Sequence, residues 1–354
     1  MSFKKLNSPK TKMFNFFTSS LENSKQLEHL NNLPKDKNFR VLIARPNHRL
    51  GNQLLLTPLL KEVKKEFPNC KIHLLVNGNL SLILFSKLRY VEKIINFPKK
   101  PFSNIFRYLG NVIRLITNRY DVAIAACHHS NSSKIFVKLS RAKYKIYNAG
   151  VSANNMPKHI AKAPVFALKK VLYPFKDLNN YKYSKLAIKL TDEEVAKGHG
   201  IVKNSCRNKN KTICIFTFAT GKKCHSKEWW LAFYEQLKIE FPDFNILEIL
   251  PIENVSQIDF ESEHFYSNDL REIASVIENS AIFIGADSGM MHLSACTKTT
   301  TLGLFNNVKN IDVYKPYGGK NDAVDTTTIQ ISNLIEKIKY ILTPNEYNLG
   351  YLSN

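Results

Sequence analysis

The densest group of residues capable of chemistry lies where an apolar segment ends at Gly285. The segment Gly285–Ala295 (GADSGMMHLSA) has the pattern of a buried strand end, a tight turn and a helix that begins at Ser288. The first N–H groups of that helix and the positive end of its dipole face the turn, and Gly289 lets a ligand approach the backbone closely. This arrangement predicts an anion site suited to a diphosphate, with His292 one helical turn away. The alternative is an ordinary serine-capped helix with His292 packed in the core.

A second glycine-containing loop also follows an apolar segment, at Phe218–Trp229 (FATGKKCHSKEW). It carries Lys222, Lys223 and Lys227, whose charges would neutralise a phosphate group. The loop lacks the GxxxxGK[ST] spacing of a nucleotide-binding P-loop, so that motif is excluded. A solvated basic loop is the alternative interpretation.

Two further strand ends carry polar residues. Ala44–Pro58 passes through Gly51 into a helix, but GxGxxG is absent, so an ordinary strand-to-helix turn accounts for it better than Rossmann dinucleotide binding. Tyr120–Ser132 places His128 and His129 just after a strand, where the sites of parallel sheets form. Single histidines are usually structural, and two adjacent ones at a strand end modestly favour a functional role.

Two series of alternating strands and helices position these segments, and they predict an α/β fold with two doubly wound parallel sheets. We predict a basic N-terminal arm over residues 1–38, a first domain over 39–190 and a second over 191–354. Ligands are expected at the strand ends, in a cleft between the domains.

Within the domains, the pattern predicts the bounds of individual elements. Residues 52–67 are predicted as one helix and residues 150–185 as irregular loops, and Thr191 is predicted to cap a helix with an acidic first turn. The predicted strands are 39–44, 71–76, 91–97, 121–127, 145–147, 212–218, 244–249, 281–285 and 300–305.

The positive charge is concentrated in the first half of the 354-residue chain. Residues 1–190 contain 35 Lys and Arg against 8 Asp and Glu, a net charge of +27, whereas residues 191–354 have a net charge of −5. Such asymmetry indicates an anionic partner for the first domain: nucleic acid, a membrane surface or a phosphorylated substrate. A compositional bias toward Lys and Asn is the alternative.

Composition also excludes or disfavours several classes of protein. A hydrophobic fraction of 44% is that of a folded chain. The apolar runs are far shorter than the roughly 20 residues that span a bilayer, and no secretory h-region is present, so we expect neither a transmembrane helix nor a signal peptide. The six cysteines form no CxxC pair and HExxH is absent, so we expect reduced thiols in the cytoplasm and no metal site.

Taken together, these segments resemble the bacterial heptosyltransferase family, the ADP-heptose–lipopolysaccharide heptosyltransferases of glycosyltransferase family 9, over roughly residues 39–342. The matching elements are Leu50-Gly51-Asn52 followed by Phe67-Pro68, then Tyr120-Asp121-Val122-Ala123, Lys227-Glu228-Trp229 and, as the most specific, Gly285–Ala295 for GxD[ST]GxxHLxAA. The resemblance implies a GT-B fold, with two Rossmann-like domains that bind the acceptor and the nucleotide-sugar respectively and face a central cleft. It also implies inversion of the anomeric centre without a metal or cofactor.

At the matching positions, the resemblance implies roles for residues of the second domain. Thr220 and Lys227 would hold the donor diphosphate, Asp287 would support its loop, and His292 would lie beside the donor. The donor-binding residues so implied, with Lys222 added for its charge, are Thr220, Lys222, Lys227, Asp287, Ser288, Gly289 and His292.

The first motif departs from the family at the position of the general base. The family has Asp after the glycine, but this chain has Asn52, which cannot act as a base at ordinary pH. Either another residue is the base, for which His128, His129 and His48 are candidates, or the protein is a divergent or impaired transferase. Asn306-Asn307 also replaces the usual Gly-Pro near the nucleotide, which leaves the base specificity open.

The leading hypothesis is an inverting, metal-independent transfer of heptose from ADP-heptose to the lipopolysaccharide core. The acceptor would be anionic Kdo-lipid A at the cytoplasmic face of the inner membrane, and the charge of the first domain agrees with it. The alternatives are transfer of another nucleotide-sugar to a different surface glycan and a GT-B-shaped binding protein that lacks the base. Nucleic-acid binding is disfavoured, because no helix-turn-helix, zinc-finger or RNP pattern occurs.

Overall fold

The computed structural model describes residues 37–98, 104–127, 130–147, 156–206 and 211–343. The chain divides into two compact units, unit 1 (Met1–Ser184) and unit 2 (Lys185–Asn354). The boundary predicted from the sequence lies after residue 190. Most of the predicted arm, 1–38, lies outside the described residues, as do His128 and His129.

Unit 1 contains a five-stranded parallel sheet in the order β3-β2-β1-β4-β5. Because β2 and β3 lie on one side of β1 while β4 and β5 lie on the other, the direction of winding reverses between β1 and β4, as in doubly wound folds. The strands are β1 (Arg40–Ala44), β2 (Lys71–Asn77), β3 (Val91–Phe97), β4 (Arg119–Ala125) and β5 (Arg141–Ile146).

The helices of unit 1 correct two predictions. The single helix predicted over 52–67 is wrong: it is two helices, and Pro58, which cannot donate a backbone hydrogen bond, lies in the first turn of the second. The prediction of loops over 150–185 is wrong where Pro164 likewise opens a helix. The helices are α1 (Leu50–Leu54), α2 (Thr57–Glu66), α3 (Leu80–Phe85), α4 (Ile105–Thr117), α5 (Asn131–Leu139) and α6 (Ala163–Leu172).

A buried ionic cluster joins α2 to α6. Lys169 Nζ lies 2.6 Å from Glu66 Oε1 and 3.1 Å from Glu62 Oε2, and Tyr181 donates a hydrogen bond to Glu62 at 2.7 Å. Burial alone would raise the pKa of Glu62, but hydrogen bonds from Ser184, Tyr181 and two lysines lower it to about 2. The cluster is satisfied internally, which gives it a structural role.

Unit 2 contains a six-stranded parallel sheet in the order β11-β10-β9-β6-β7-β8. Its winding reverses between β6 and β9, so the loops that leave these two strands are neighbours. The strands are β6 (Thr212–Phe216), β7 (Asn245–Ile249), β8 (Glu263–Phe265), β9 (Ile282–Ala286), β10 (Thr300–Phe305) and β11 (Asp322–Asp325).

The helices of unit 2 cover a sheet whose central strands are buried throughout. Thr191 caps the first helix in a reciprocal capping box with Glu194, and its first turn is acidic, which confirms the predicted start. Trp230, Phe233 and Leu237 pack the inner face of the second helix against Ile213 and neighbouring strand residues. The helices are α7 (Asp192–Ser205), α8 (Lys227–Glu240), α9 (Leu270–Glu278), α10 (Gly289–Ser294), α11 (Ile311–Tyr314) and α12 (Ile331–Leu342).

Within the described part of the chain, every helix is too short or too polar to cross a membrane.

Candidate functional site

The two glycine-containing loops singled out in the second half of the sequence leave adjacent strands. Phe216 at the end of β6 pairs with Gly285 near the end of β9. Because both strands are parallel and the sheet reverses its winding between them, their following loops meet at one edge, where ligands of doubly wound sheets bind. We call this edge, formed by residues 217–227, 287–289 and 306, the carboxyl edge of unit 2.

Close packing explains why glycine occupies position 285. A Cβ atom there would lie 2.8 Å from Phe283 Cε1 and 3.2 Å from Phe216 Cβ. On the other side, β10 places Gly303 in register with Gly285. Glycine at position 285 leaves room for the side chains of Phe283 and Phe216, and Gly303 likewise leaves room for Met291 and Phe305.

The loop after β9 is held by a hydrogen bond to β10 and by the N-cap of the helix that follows it. Asp287 is buried, and its backbone N–H donates to the Leu304 carbonyl at 3.1 Å. Ser288 is the N-cap residue of α10, where its Oγ accepts from the Met291 N–H at 3.4 Å, and the helix itself begins at Gly289. His292 lies in this helix and is 4% exposed, so it is a buried histidine and not a surface one.

The loop after β6 turns sharply before entering α8. Gly221 has φ +63°, a left-handed conformation that glycine adopts without strain, and it opens a short 3-10 turn over Gly221–Lys223. Thr220 and Lys222 are exposed on this turn. Ser226 then caps α8 by accepting a hydrogen bond from the Trp229 N–H at 3.3 Å.

Lys227 is the first residue of α8 and remains at the surface. Its Nζ lies 2.7 Å from Asp259 Oδ1, and the two side chains are 48% and 56% exposed. An ion pair this exposed is worth little and exchanges readily with other anions. The lysine is therefore available to a phosphate group at the carboxyl edge.

Lys223 joins the two loops directly. Its Nζ lies 2.6 Å from Asp287 Oδ2, and the lysine is 39% exposed while the aspartate is 6% exposed. Sequence reasoning singled out Asp287 as a support for its loop but gave no partner for it. The feature of the sequence that indicates this partner is the basic loop, in which Lys223 lies beside Lys222 in the strand-to-helix turn.

Asn306 ties a third loop to the same place. It follows β10, and its Nδ2 donates to the main-chain carbonyls of Lys222 at 2.9 Å and Cys224 at 3.4 Å. The sequence marked this position only as a departure from Gly-Pro. In the structure the amide holds the basic loop in place, which Gly-Pro could not do because neither residue has a side-chain donor.

Two buried titratable groups belong to the loop after β6 or contact it. His225 Nε2 lies 2.7 Å from Thr326 Oγ1, and burial lowers the pKa of this histidine to about 4. Glu248, at the end of β7, accepts hydrogen bonds from Thr217 at 2.6 Å and Ser256 at 2.7 Å, and burial raises its pKa. Neither residue was assigned a role from sequence. His225 lies in the basic loop after β6, where only Thr220 and the lysines were assigned roles, and Glu248 lies in a strand that resembles ordinary core.

Unit 1 has a corresponding feature where its own winding reverses. Arg45, which is 3% exposed, donates to the Ala126 carbonyl at 3.0 Å and to Asn52 Oδ1 at 2.7 Å. The arginine therefore links the loop after β1 to the end of β4 and fixes the side chain of Asn52. His48 lies exposed in the loop after β1, whereas His128 and His129 lie outside the described residues.

The structure brings the predicted donor residues together in unit 2. All seven predicted donor residues, Thr220, Lys222, Lys227, Asp287, Ser288, Gly289 and His292, belong to unit 2 and follow β6 or β9. Their ligand contacts stay a prediction. Among the described residues, no group of three or more His, Cys, Asp or Glu side chains is placed to hold a metal ion.

Comparison with known proteins gives one family and a consistent set of folds. Residues 267–337 match Glycosyltransferase family 9 (heptosyltransferase). The structure of a glycosyl transferase family 9 protein from Veillonella parvula matches with a TM-score of 0.71 at 16% identity, over 89% of this chain and 99% of that one. No curated protein matches this chain by sequence.

Two Escherichia coli structures give similar matches. ADP-heptose lps heptosyltransferase II has a TM-score of 0.62 at 12% identity, over 87% of this chain and 100% of that one. Heptosyltransferase WaaC with ADP has a TM-score of 0.63 at 15% identity, over 85% of this chain and 99% of that one. At such identities the likeness shows the fold, which is GT-B.

The segment that matches the family contains Gly285–Ala295, the most specific of the sequence motifs. Together with the two doubly wound units, it supports the resemblance drawn from the sequence: the chain is a glycosyltransferase with the GT-B fold, and its residues 267–337 match glycosyltransferase family 9 (heptosyltransferase).

Proposed function

We propose that this glycosyltransferase moves a heptosyl group from ADP-heptose to the phosphorylated core of lipopolysaccharide. Unit 2 would bind the donor and unit 1 the acceptor. The likeness to two Escherichia coli structures, an ADP-heptose lps heptosyltransferase and a heptosyltransferase with ADP, supports this donor.

The observation that carries the proposal is the assembly of three loops at the carboxyl edge of unit 2. The Lys223–Asp287 ion pair joins the loops after β6 and β9, and Asn306 joins the loop after β10 to them. Lys227 adds a half-exposed cation. Such an edge offers fixed positive charge and backbone N–H groups to a diphosphate without any bulk positive charge in this half of the chain.

The chemistry follows from that placement. In an inverting transfer, the acceptor oxygen forms a bond to the anomeric carbon while the bond from that carbon to the diphosphate oxygen breaks. The leaving nucleotide takes the electron pair and gains negative charge, which Lys227, Lys222 and the N–H groups near Ser288 would stabilise. We propose that no metal takes part, so a chelator should leave the rate unchanged.

The proton of the acceptor hydroxyl needs a base, and Asn52 cannot supply one. Its Oδ1 already accepts a hydrogen bond from Arg45 at 2.7 Å, which fits a positioning role. We propose that a histidine of unit 1 takes the proton, with His48, His128 and His129 as the candidates. Loss of turnover in only one of the variants His48→Ala, His128→Ala and His129→Ala would identify it.

A donor panel with a matched pair of variants tests the donor site. Release of nucleotide is measured with ADP-, UDP- and GDP-sugars for the wild type, Lys227→Ala and Lys238→Ala. Lys238 is the control because it lies on the same helix, is 42% exposed and is paired with Glu235 at 2.6 Å. We expect ADP-heptose to be preferred and only Lys227→Ala to lose most activity. Equal activity of the two variants would contradict the assignment, and preference for another donor would remove the heptosyl label.

The charge of unit 1 supports the acceptor and the location. Its residues, 1–184, contain 33 Lys and Arg against 8 Asp and Glu, a net charge of +25, which suits a phosphorylated, Kdo-bearing lipid at an anionic membrane. We propose that the protein works at the cytoplasmic face of the inner membrane. If the donor panel favours another sugar, transfer to a different surface glycan becomes the better account.

The Arg45–Asn52 contact favours one further candidate, a nucleotide-sugar binding protein that has lost its base. Turnover gained by Asn52→Asp in a protein otherwise inactive with every donor would establish this second candidate. Activity of the wild type would exclude it.

A further inference from the structure

Helix α4 of unit 1 has two apolar faces, one packed against the rest of the unit and one exposed. Tyr108 stacks edge-on against Phe97 at 5.1 Å, Asn111 donates to the Asn96 carbonyl at 2.8 Å, and Leu115 is fully buried. These contacts fix the helix to β3 and its neighbours. The face that remains is therefore presented outward in one orientation.

That outward face is lined by large apolar side chains. Their spacing of three and four residues places them on one side of the helix. Phe106 is 86% exposed, and the full set is Ile105, Phe106, Leu109, Ile113 and Ile116. Exposed large apolar residues scattered singly need no explanation, but a continuous stripe along three turns marks an interaction surface.

Basic residues border the stripe, and acidic ones are absent from the surrounding sequence. Arg107 and Arg114 are exposed on α4, and neither forms an ion pair with a described acidic side chain. Between Glu92 and Asp121 the sequence contains six Lys or Arg and no Asp or Glu. An apolar stripe with arginines at its rim is the pattern of a helix that lies in the interface of an anionic bilayer.

We propose that α4 docks unit 1 on an anionic lipid bilayer, with Phe106, Leu109 and Ile113 in the acyl boundary and Arg107 and Arg114 at the lipid phosphates. The proposal rests on the exposed helix face and does not depend on sugar transfer. Charge decides between a membrane and a second copy of the chain, because a symmetric dimer through α4 would bring the same basic rims together.

The test is co-sedimentation of the full chain with vesicles, without donor or acceptor. Vesicles contain either phosphatidylglycerol with phosphatidylethanolamine or phosphatidylcholine alone. We expect the triple variant Phe106→Ser/Leu109→Ser/Ile113→Ser to weaken binding to the anionic vesicles by roughly 100-fold. Arg107→Gln/Arg114→Gln should weaken it by roughly 30-fold on anionic vesicles and have little effect on phosphatidylcholine.

Two controls make the result specific. Phe175→Ser removes a fully exposed aromatic ring of unit 1 that lies outside α4, and it should bind as the wild type does. Phe14→Ser/Phe16→Ser/Phe17→Ser alters the aromatic residues of the basic N-terminal segment and should also retain binding. Far-ultraviolet circular dichroism with thermal unfolding verifies that each variant folds.

Three outcomes would overturn the proposal. The first is binding by the triple variant that equals that of the wild type. The second is loss of binding only in the N-terminal variant. The third is self-association of the wild type, measured by analytical ultracentrifugation, that the triple variant abolishes while neither protein binds vesicles. Because no sugar substrate is present, failure here leaves the proposed transfer standing, and failure of transfer leaves this result standing.

Discussion

The ion pair between Lys223 and Asp287 yields the sharpest quantitative prediction, because it joins the loops after β6 and β9. The atoms are 2.6 Å apart, with the lysine 39% exposed and the aspartate 6% exposed. An exposed pair contributes up to about 1 kcal/mol, whereas breaking a buried one costs about 3–5 kcal/mol. We expect Lys223→Met, which leaves a buried carboxylate without its cation, to lower the free energy of unfolding of unit 2 by about 2 kcal/mol.

The second variant and the double variant isolate the pair itself. Asp287→Asn should cost only about 1 kcal/mol, because it removes the attraction between the two charges without leaving a buried charge unpaired. The double variant should be more stable than the sum of the single effects predicts, by a coupling energy of about 1–2 kcal/mol. Lys222→Met is the matched control, since Lys222 is exposed and its hydrogen bond to Asn306 uses the main-chain carbonyl.

Tryptophan fluorescence during urea unfolding is a suitable assay. The chain has two tryptophans, Trp229 and Trp230, and both lie in α8 of unit 2. The signal therefore reports on the unit that carries the pair. Single effects that add within about 0.5 kcal/mol would refute the reasoning.

Calorimetric titration with ADP then relates the pair to the donor. Both single variants should bind ADP more weakly than the wild type, whereas Lys238→Met, which changes an exposed lysine elsewhere in unit 2, should retain the wild-type affinity. If the two variants show a coupling energy in unfolding but bind ADP as the wild type does, the ion pair supports the fold and not the donor site.

Three further predictions concern buried residues in and beside the carboxyl edge of unit 2, and the same fluorescence assay measures each. Burial lowers the pKa of His225 from 6.5 to about 4. The stability that the neutral histidine contributes is therefore fully present above pH 6.5, and up to about 3 kcal/mol of it is lost as the pH falls through 4. His225→Gln should remove this pH dependence. Burial raises the pKa of Glu248 above 4.5, so stability present below that pH is lost as pH rises through the raised pKa, and Glu248→Gln should flatten the profile. Gly285→Ala should cost about 1–3 kcal/mol, because its Cβ would meet the Phe283 ring at 2.8 Å, and an unchanged midpoint would contradict that packing.

Sequence patterns predicted the strands best where burial is complete. The strands β6, β9 and β10 are continuous apolar runs, so their positions were predicted closely. β5 begins at Arg141, well before the predicted residue 145, because its alternating Lys and Arg side chains hide the strand pattern. The short strands β8 and β11 carry acidic residues, and no strand was predicted at either place.

Proline caused the two errors among the helices of unit 1. A proline usually ends or interrupts a helical pattern, but in the first turn it costs no hydrogen bond. Pro58 and Pro164 both occupy that position. From sequence alone, a proline that interrupts a helix cannot be distinguished from one in the first turn of a new helix unless the end of the preceding helix is known.

Sequence patterns predict the loops of the candidate site but not the contacts that join one loop to another. The positions of Asp287, Ser288 and Lys227 follow from strand-to-helix turns, which local sequence specifies. The contacts of Asn306 and Lys223 join residues far apart in the chain, and no local pattern encodes them. Such contacts depend on strand order, which the sequence does not reveal.

Mass spectrometry of the acceptor tests the central claim most directly. Kdo-lipid A is incubated with ADP-heptose and the full chain, and its mass is compared before and after. We expect a product heavier by one heptosyl residue, formed by the wild type and by Lys238→Ala and lost in Lys227→Ala. An acceptor whose mass is unchanged by the wild type, under conditions in which ADP binds, would contradict the account.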